Sequence, residues 1–244
     1  MTGTASQCVL ILGMHRSGTS CLAGSLQQHG VHLGRVFEEN PFNKKGNREN
    51  AEIMKLNNDL LAANGGSWEN PPSALHWNEE FASSRNAIIT MFVESESPFW
   101  GFKDPRSLLT WEFWMEGLQD ISINLVGSYR NPLLVAESLY ARNKMPIEKA
   151  LSLWEIYNKK LIELYETIKF PIISFDVDLE EYKRAIDWVL QSLKITPNGN
   201  ITAPFFDESL RHAETGDEAT IAEMGDTTKA LYHKLNEIYE GQKI

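Results

Sequence analysis

A loop that follows an apolar run has the residue types and spacing of an anion-binding loop. Gly13 and Gly18 are separated by four residues, and Thr19 and Ser20 open a helix-compatible stretch directly behind them. Glycine permits the tight turn and lets the backbone approach an anion, which the free amides of the helix start and the two hydroxyls then face. Thr19 occupies the place of the lysine that nucleotide triphosphatases need, whereas Arg16 puts a cation inside the loop. The sequence therefore predicts a loop that holds an oxyanion.

A second basic group follows a predicted strand at residues 121–128. Arg130 comes just past the carboxyl end of that strand, where the ligands of open parallel sheets gather, and Ser138 lies two turns into the next helix. An arginine fork and a serine hydroxyl in these places can converge on one phosphate. A surface arginine beside an unrelated helical serine is the alternative that these two residues alone leave open.

Three stretches taken together resemble the sulfotransferases that use 3′-phosphoadenosine 5′-phosphosulfate (PAPS). They read MHRSGTS, WGFKDPRS and YRNPLLVAES, and the resemblance as a whole is spread from the N-terminus to Arg142. The resemblance implies an α/β fold of three layers, P-loop-like, with a central parallel sheet flanked by helices. It also implies transfer of a sulfuryl group from PAPS to the hydroxyl of an acceptor such as a carbohydrate or a small metabolite.

The same resemblance assigns residues to the two ends of the donor. Arg130 and Ser138 are implied to bind the 3′-phosphate. Many family members have lysine where this chain has Arg16, and either cation can bind the donor. No metal is expected. Asp176, at the end of an apolar strand, could imitate a magnesium-holding carboxylate, but it is expected to cap a turn. The residues implied to bind the 5′-phosphosulfate are His15, Arg16, Ser17, Gly18, Thr19 and Ser20.

Sulfuryl transfer needs a base for the acceptor hydroxyl, and Glu49 is the candidate. Counted back along a predicted helix at 49–63, Glu49 starts the stripe that faces inward, so its carboxylate either points into the site or caps the helix dipole. Several branches of the family that the chain resembles use a glutamate after the loop and its helix. Asp104 is the competing base, and His15, which lies within the loop, fits the donor site better.

The segment KDPR contributes two cations at a predicted strand end. Lys103 and Arg106 are expected to neutralise charge on the donor or on the departing sulfate. Lys103 is therefore predicted to be a catalytic residue. A surface turn with a local salt bridge is the alternative, and Asp104 could pair with either cation.

Alternating apolar strands and amphipathic helices predict an α/β fold with a parallel sheet. Asn131 and Pro132 suit the N-cap and the first turn of a helix. One sulfotransferase-like domain over residues 1–244 is expected, with a polar C-terminal helical extension from about residue 205. Strands are predicted at 9–12, 100–103, 121–128 and 171–175, and helices at 19–30, 49–63, 81–94, 108–118, 147–168, 185–193 and 227–239, besides the one that begins at Pro132.

Composition limits the partners. The formal net charge of −10 argues against nucleic acid or another polyanion, although a local cluster of Arg16, Lys103 and Arg130 could still bind a small anionic donor. No apolar run is long enough to span a membrane and no signal peptide is recognisable, so a cytoplasmic protein is expected. Cys8 and Cys21 fall in a predicted strand and a predicted helix, which makes a disulfide unexpected.

The acceptor is where the sequence is least informative. Its pocket is expected in the loops at 31–47 and 64–79, where aromatic side chains suit sugars and other amphipathic acceptors. Trp68, Trp77 and Trp100 either line that pocket or belong to the core. Two other functions stay open. One is an ATP-dependent small-molecule phosphotransferase, favoured by the loop spacing and Asp176, and the other is a non-catalytic nucleotide-binding protein on the same fold.

Overall fold

Four parallel strands form the centre of the computed structural model, which describes residues 6–39, 45–206 and 224–242. They are β1 (Gln7–Leu12), β2 (Phe99–Lys103), β3 (Ser122–Tyr129) and β4 (Ile172–Ser174). Their order in the sheet is β2-β1-β3-β4, and every neighbouring pair is parallel. The predicted α/β fold with a parallel sheet is confirmed.

Helices connect the strands and cover both faces of the sheet. A short 3₁₀ helix at Pro105–Leu108 follows β2 directly. The α-helices of the described residues are α1 (Thr19–Gln28), α2 (Ala51–Ala63), α3 (Glu79–Val93), α4 (Trp111–Gly117), α5 (Pro132–Asn143), α6 (Ile147–Thr167), α7 (Leu179–Leu193) and α8 (Asp226–Gly241).

The central strand β1 separates two hydrophobic cores, because alternate side chains of a strand point to opposite faces. Val9 and Ile11 pack with α1 and α7, whereas Cys8 and Leu10 pack with α2 to α6 and with α8. All four side chains are buried, as expected for a parallel strand covered on both faces. The three layers bring the carboxyl ends of the strands, and the loops that follow them, to one edge of the sheet.

Local capping explains where the helices depart from their predicted bounds. The Asn50 side chain accepts hydrogen bonds from the amides of Glu52 and Ile53, so α2 begins at Ala51 rather than at Glu49. The predicted helix at 108–118 is wrong as one element. Asp104 accepts a hydrogen bond from the Arg106 amide and starts the 3₁₀ helix, which ends before α4 begins.

The C-terminal helix α8 packs against the body rather than fraying. Leu235 and Ile238 are buried in the core, and the side chain of Gln242 pairs with the backbone N–H and C=O of Ile172 in β4. The preceding part of the predicted extension, residues 207–223, lies outside the described residues. Both cysteines are free, in line with the sequence. Within the described ranges no helix is long and apolar enough to cross a membrane.

Gly13 is the glycine whose replacement should affect folding of the loop most directly. A Cβ there would lie 2.3 Å from the Ser128 carbonyl oxygen, a backbone atom of the neighbouring strand, and φ is 141°. We expect Gly13→Ala to lower the free energy of unfolding by about 2–4 kcal/mol, measured by urea denaturation. Gly30→Ala is the matched control, because φ is 95° and nothing lies within 4 Å of its Cβ position. Equal costs for the two variants would contradict a role for the close contact.

Candidate active site

The loop between β1 and α1 presents a helix amino end that no side chain caps in the described residues. Gly18 is the N-cap of α1 with φ 81°, and the first turn carries no acidic residue. Arg16 also has a left-handed backbone, with φ 67°. Left-handed residues in a short loop are typical of nests that turn amides toward an anion. The Ser128 hydroxyl donates to the Ser17 carbonyl at 2.6 Å and ties the loop to the end of β3.

Arg16 joins the two predicted halves of the donor site. Its Nε donates to the Ser138 hydroxyl oxygen at 2.7 Å, although 122 positions separate the two residues. Burial, with Arg142 and Arg130 nearby, lowers the pKa of Arg16 to about 10, so its guanidinium stays charged at neutral pH. Arg130 and Ser138 were predicted to converge on one phosphate, and the structure adds a direct contact between Ser138 and the loop arginine.

Arg130 is held at the end of β3 by a buried carboxylate. Its Nε lies 3.3 Å from Oδ1 of Asp176, whose Oδ2 accepts the amide N–H of Asn131 at 2.5 Å. The Arg130 carbonyl accepts the indole N–H of Trp154. Asp176 therefore fixes the segment after β3, a larger role than the simple turn cap expected from the sequence.

Phe175 connects this segment to the loop. The Arg130 guanidinium lies over its ring, 5.5 Å from the centroid. A Cβ on Gly18 would approach the same ring to 2.3 Å. Gly18 is thus required by aromatic packing, a different reason from the close anion approach that the sequence suggested.

Four charged side chains form a buried network after β2. Lys103 Nζ lies 2.6 Å from Oε1 of Glu49, and Arg106 Nη1 lies 3.8 Å from Oε2. Asp104 is fully buried and accepts Arg106 Nη1 with both of its oxygens, at 3.0 and 3.1 Å. Burial raises the pKa of Asp104, an effect that Arg106 opposes. The structure thus brings Glu49, the candidate base for the acceptor hydroxyl, together with the three charged residues of the segment KDPR.

The predicted helical position of Glu49 is wrong. Glu49 lies in the extended segment before α2, where its carbonyl accepts the Phe37 amide and the next residue, Asn50, pairs with Val36. Its side chain is nevertheless buried, because it pairs with Lys103. The helical stripe therefore does not explain its inward orientation, which comes from the ion pair.

Three polar atoms of the site are buried without a hydrogen-bond partner among the described residues. They are Nε2 of His15, Oγ of Ser17 and Nε of Arg106. Buried polar groups in native proteins are nearly always hydrogen-bonded, so such a cluster indicates partners supplied by a ligand or by water. Burial lowers the pKa of His15 well below its usual value, and nearby cations lower it further. The imidazole is therefore neutral at neutral pH. The cations are Arg106, Arg142, Lys103 and Arg16.

Of the three tryptophans considered for the acceptor pocket, Trp68 contacts the site. Its ring lies 4.4 Å from that of His15, centroid to centroid. Trp100 is completely buried in the core, and Trp77 packs on Phe113. Sequence reasoning missed Arg142, which lies 5.5 Å from the Trp68 ring centroid. Its spacing of four from Ser138 on a helix is the signal that could have identified it.

Comparison with known proteins gives matches among solved structures. No protein-family profile and no curated protein matches the chain. The sulfotransferase domain of the olefin synthase from Synechococcus PCC 7002 superposes with a TM-score of 0.50 at 16% identity, over 97% of this chain and 90% of that domain. Sulfotransferase STF1 from Mycobacterium tuberculosis H37Rv gives a TM-score of 0.47 at 11% identity, over 95% and 78%. The first likeness shows that this chain has a sulfotransferase-type fold.

Proposed function

We propose that the chain is a sulfotransferase that moves a sulfuryl group from PAPS to a hydroxyl of a small molecule or a glycan. The contact between Arg16 and Ser138 is the observation that carries the proposal. One residue belongs to the motif implied to bind the 5′-phosphosulfate and the other to the motif implied to bind the 3′-phosphate. Their contact at 2.7 Å brings the two motifs together, which supports a single donor site.

The charge and geometry around the loop suit such a donor. The uncapped amino end of α1 and the guanidinium of Arg16 would receive the 5′-phosphosulfate. Arg130, positioned by Asp176 and Asn131, would receive the 3′-phosphate. The unpartnered Oγ of Ser17 would then gain an acceptor.

Glu49 is the proposed base of the transfer. The acceptor oxygen attacks sulfur, the bond from sulfur to the bridging phosphate oxygen breaks, and the hydroxyl proton passes to the carboxylate. The products are a sulfate ester and adenosine 3′,5′-bisphosphate. Oε1 of Glu49 is occupied by Lys103. Oε2 lies 3.8 Å from Arg106 Nη1 but accepts no hydrogen bond from any described residue, so it is the oxygen proposed to take the proton.

Two charged residues next to Glu49 support this step in different ways. Lys103 orients Glu49 through the 2.6 Å contact and supplies positive charge near the reacting groups. Asp104 uses its oxygens on Arg106 and is completely buried, so it is proposed as a positioning residue rather than the base.

Calorimetric titration tests the donor site. We expect adenosine 3′,5′-bisphosphate to bind at least about tenfold more tightly than 5′-AMP, because the 3′-phosphate adds charge-assisted hydrogen bonds. Arg130→Ala should remove most of this preference. Arg184→Ala, which removes an exposed arginine of α7, is the control and should bind both nucleotides as the wild type does.

The competing functions give different titrations. Preference for ATP with magnesium over the bisphosphate would overturn the proposal in favour of a phosphotransferase. Tight bisphosphate binding together with no turnover of PAPS on any hydroxyl in a broad acceptor library would point to a non-catalytic nucleotide-binding protein. Release of bisphosphate that depends on an added hydroxyl would support the sulfotransferase.

A further inference from the structure

Arg142 is a half-buried cation close to the candidate base. It lies in the last turn of α5, four residues after Ser138, and so on the same face of the helix. In the described parts of the chain it forms no ion pair and donates no hydrogen bond, although its guanidinium lies over the Trp68 ring. A partly desolvated arginine in this state has donors available for an anionic group.

The loop that carries Trp68 is fixed around this arginine. The Tyr157 hydroxyl donates to the Trp68 carbonyl at 3.3 Å, and the Asn143 amide donates to Glu69 at 3.2 Å. The Trp68 ring also contacts His15, whose Nε2 is buried and unpartnered among the described residues. An aromatic face, a cation and an unsatisfied imidazole therefore lie side by side at the edge of the site.

The charges that act on Arg142 show that it lies near Glu49, the candidate base. Burial lowers the pKa of Arg142, Glu49 and Glu69 oppose that effect, and Arg106 adds to it. Arg16 is influenced by both Arg142 and Arg130. The loop arginine is thus near both of these cations, and Arg142 is in addition near Glu49, where an acceptor hydroxyl must arrive.

We infer that Arg142 and Trp68 form an acceptor subsite that binds a negatively charged group of the acceptor, with a carboxylate as the simplest case. The inference rests on the proposed function. The guanidinium pairs with the anionic group, the indole ring lies beside the apolar part of the molecule, and the acceptor hydroxyl reaches Glu49. The acceptor is then a hydroxy acid or a similar small anion rather than a neutral alcohol.

Binding to the bisphosphate-loaded protein tests this inference without turnover. The probes are 4-(hydroxymethyl)benzoate, its neutral amide 4-(hydroxymethyl)benzamide, and 4-(hydroxymethyl)phenyl phosphate, each titrated by calorimetry. We expect the benzoate to bind at least about tenfold more tightly than the amide, as charge-assisted pairing with arginine predicts. Arg142→Gln should abolish this preference and leave the affinity for the amide unchanged.

Lys144→Gln is the matched control, because it removes an exposed cation near the end of the same helix and should leave the preference intact. Equal affinity of wild type for the benzoate and the amide, including no binding of either, overturns the subsite. Loss of bisphosphate affinity in Arg142→Gln also overturns it and moves Arg142 to the donor site. Stronger binding of the phosphate than of the benzoate supports the subsite and identifies phosphate as the preferred group. Failure of wild type to bind the bisphosphate is the separate result that overturns the proposed function.

Discussion

Glu49→Gln is expected to reduce turnover of PAPS by roughly 10²- to 10⁴-fold, the range that removal of a general base produces. The amide keeps the shape of the side chain and can still accept a hydrogen bond from Lys103, which lies 2.6 Å from Oε1. It cannot take up the acceptor proton. Bisphosphate should bind at least as tightly as in wild type, because a negative charge is removed beside several cations. Release of bisphosphate in the presence of acceptor measures the first effect and calorimetry the second.

Asp104→Asn is the informative companion to this variant. Asp104 is completely buried and holds Arg106, so its loss should act through the position of that guanidinium. We expect weaker donor binding and lower stability, with a smaller loss of turnover once donor is saturating. Normal turnover by Glu49→Gln together with complete loss in Asp104→Asn would exchange the two roles.

The loop between β1 and α1 was predictable because its requirements are local. The spacing of Gly13 and Gly18 and the cation at Arg16 lie within one short stretch, and the apolar run before them is a strand in the structure. The parallel sheet was predictable for a similar reason, since strands that alternate with amphipathic helices have few other arrangements. Both depend on neighbours in sequence.

The contacts between distant residues were not predictable from their own segments. Arg16 meets Ser138 only because β1 and β3 are adjacent in the sheet, and that order is a property of the whole fold. The same holds for Asp176, which reaches Arg130 because β4 lies beside β3. Sequence reasoning therefore named residues that the structure brings near one another, but it did not predict which of them are in direct contact.

Glu49 illustrates a candidate reached by an argument that the structure does not support. Helical periodicity placed it on the inward stripe of α2, yet Asn50 caps that helix and leaves Glu49 outside it. The carboxylate is buried because Lys103, on a strand 54 positions away, pairs with it. A period of 3.6 residues carries no information about such a partner.

Arg16→Gly is expected to weaken bisphosphate and PAPS binding by roughly 10²-fold, because the charge-assisted hydrogen bonds of the guanidinium are lost. The free energy of unfolding should stay within about 1 kcal/mol of wild type. Arg16 has φ 67°, a conformation that glycine adopts without strain, so the relief offsets the lost hydrogen bond to Ser138. Calorimetry and urea denaturation on the same preparation separate the two effects.

Lys194→Gly is the matched control for this variant. Lys194 has φ 57° at the exposed end of α7, and its replacement also removes one positive charge. Similar stability in the two variants with a loss of donor affinity only in Arg16→Gly would assign the effect to the loop guanidinium. Equal loss in both would assign it to net charge, and normal binding by Arg16→Gly would remove the loop from the donor site. Arg16→Lys should retain part of the affinity, since a lysine keeps the charge but lacks the planar fork.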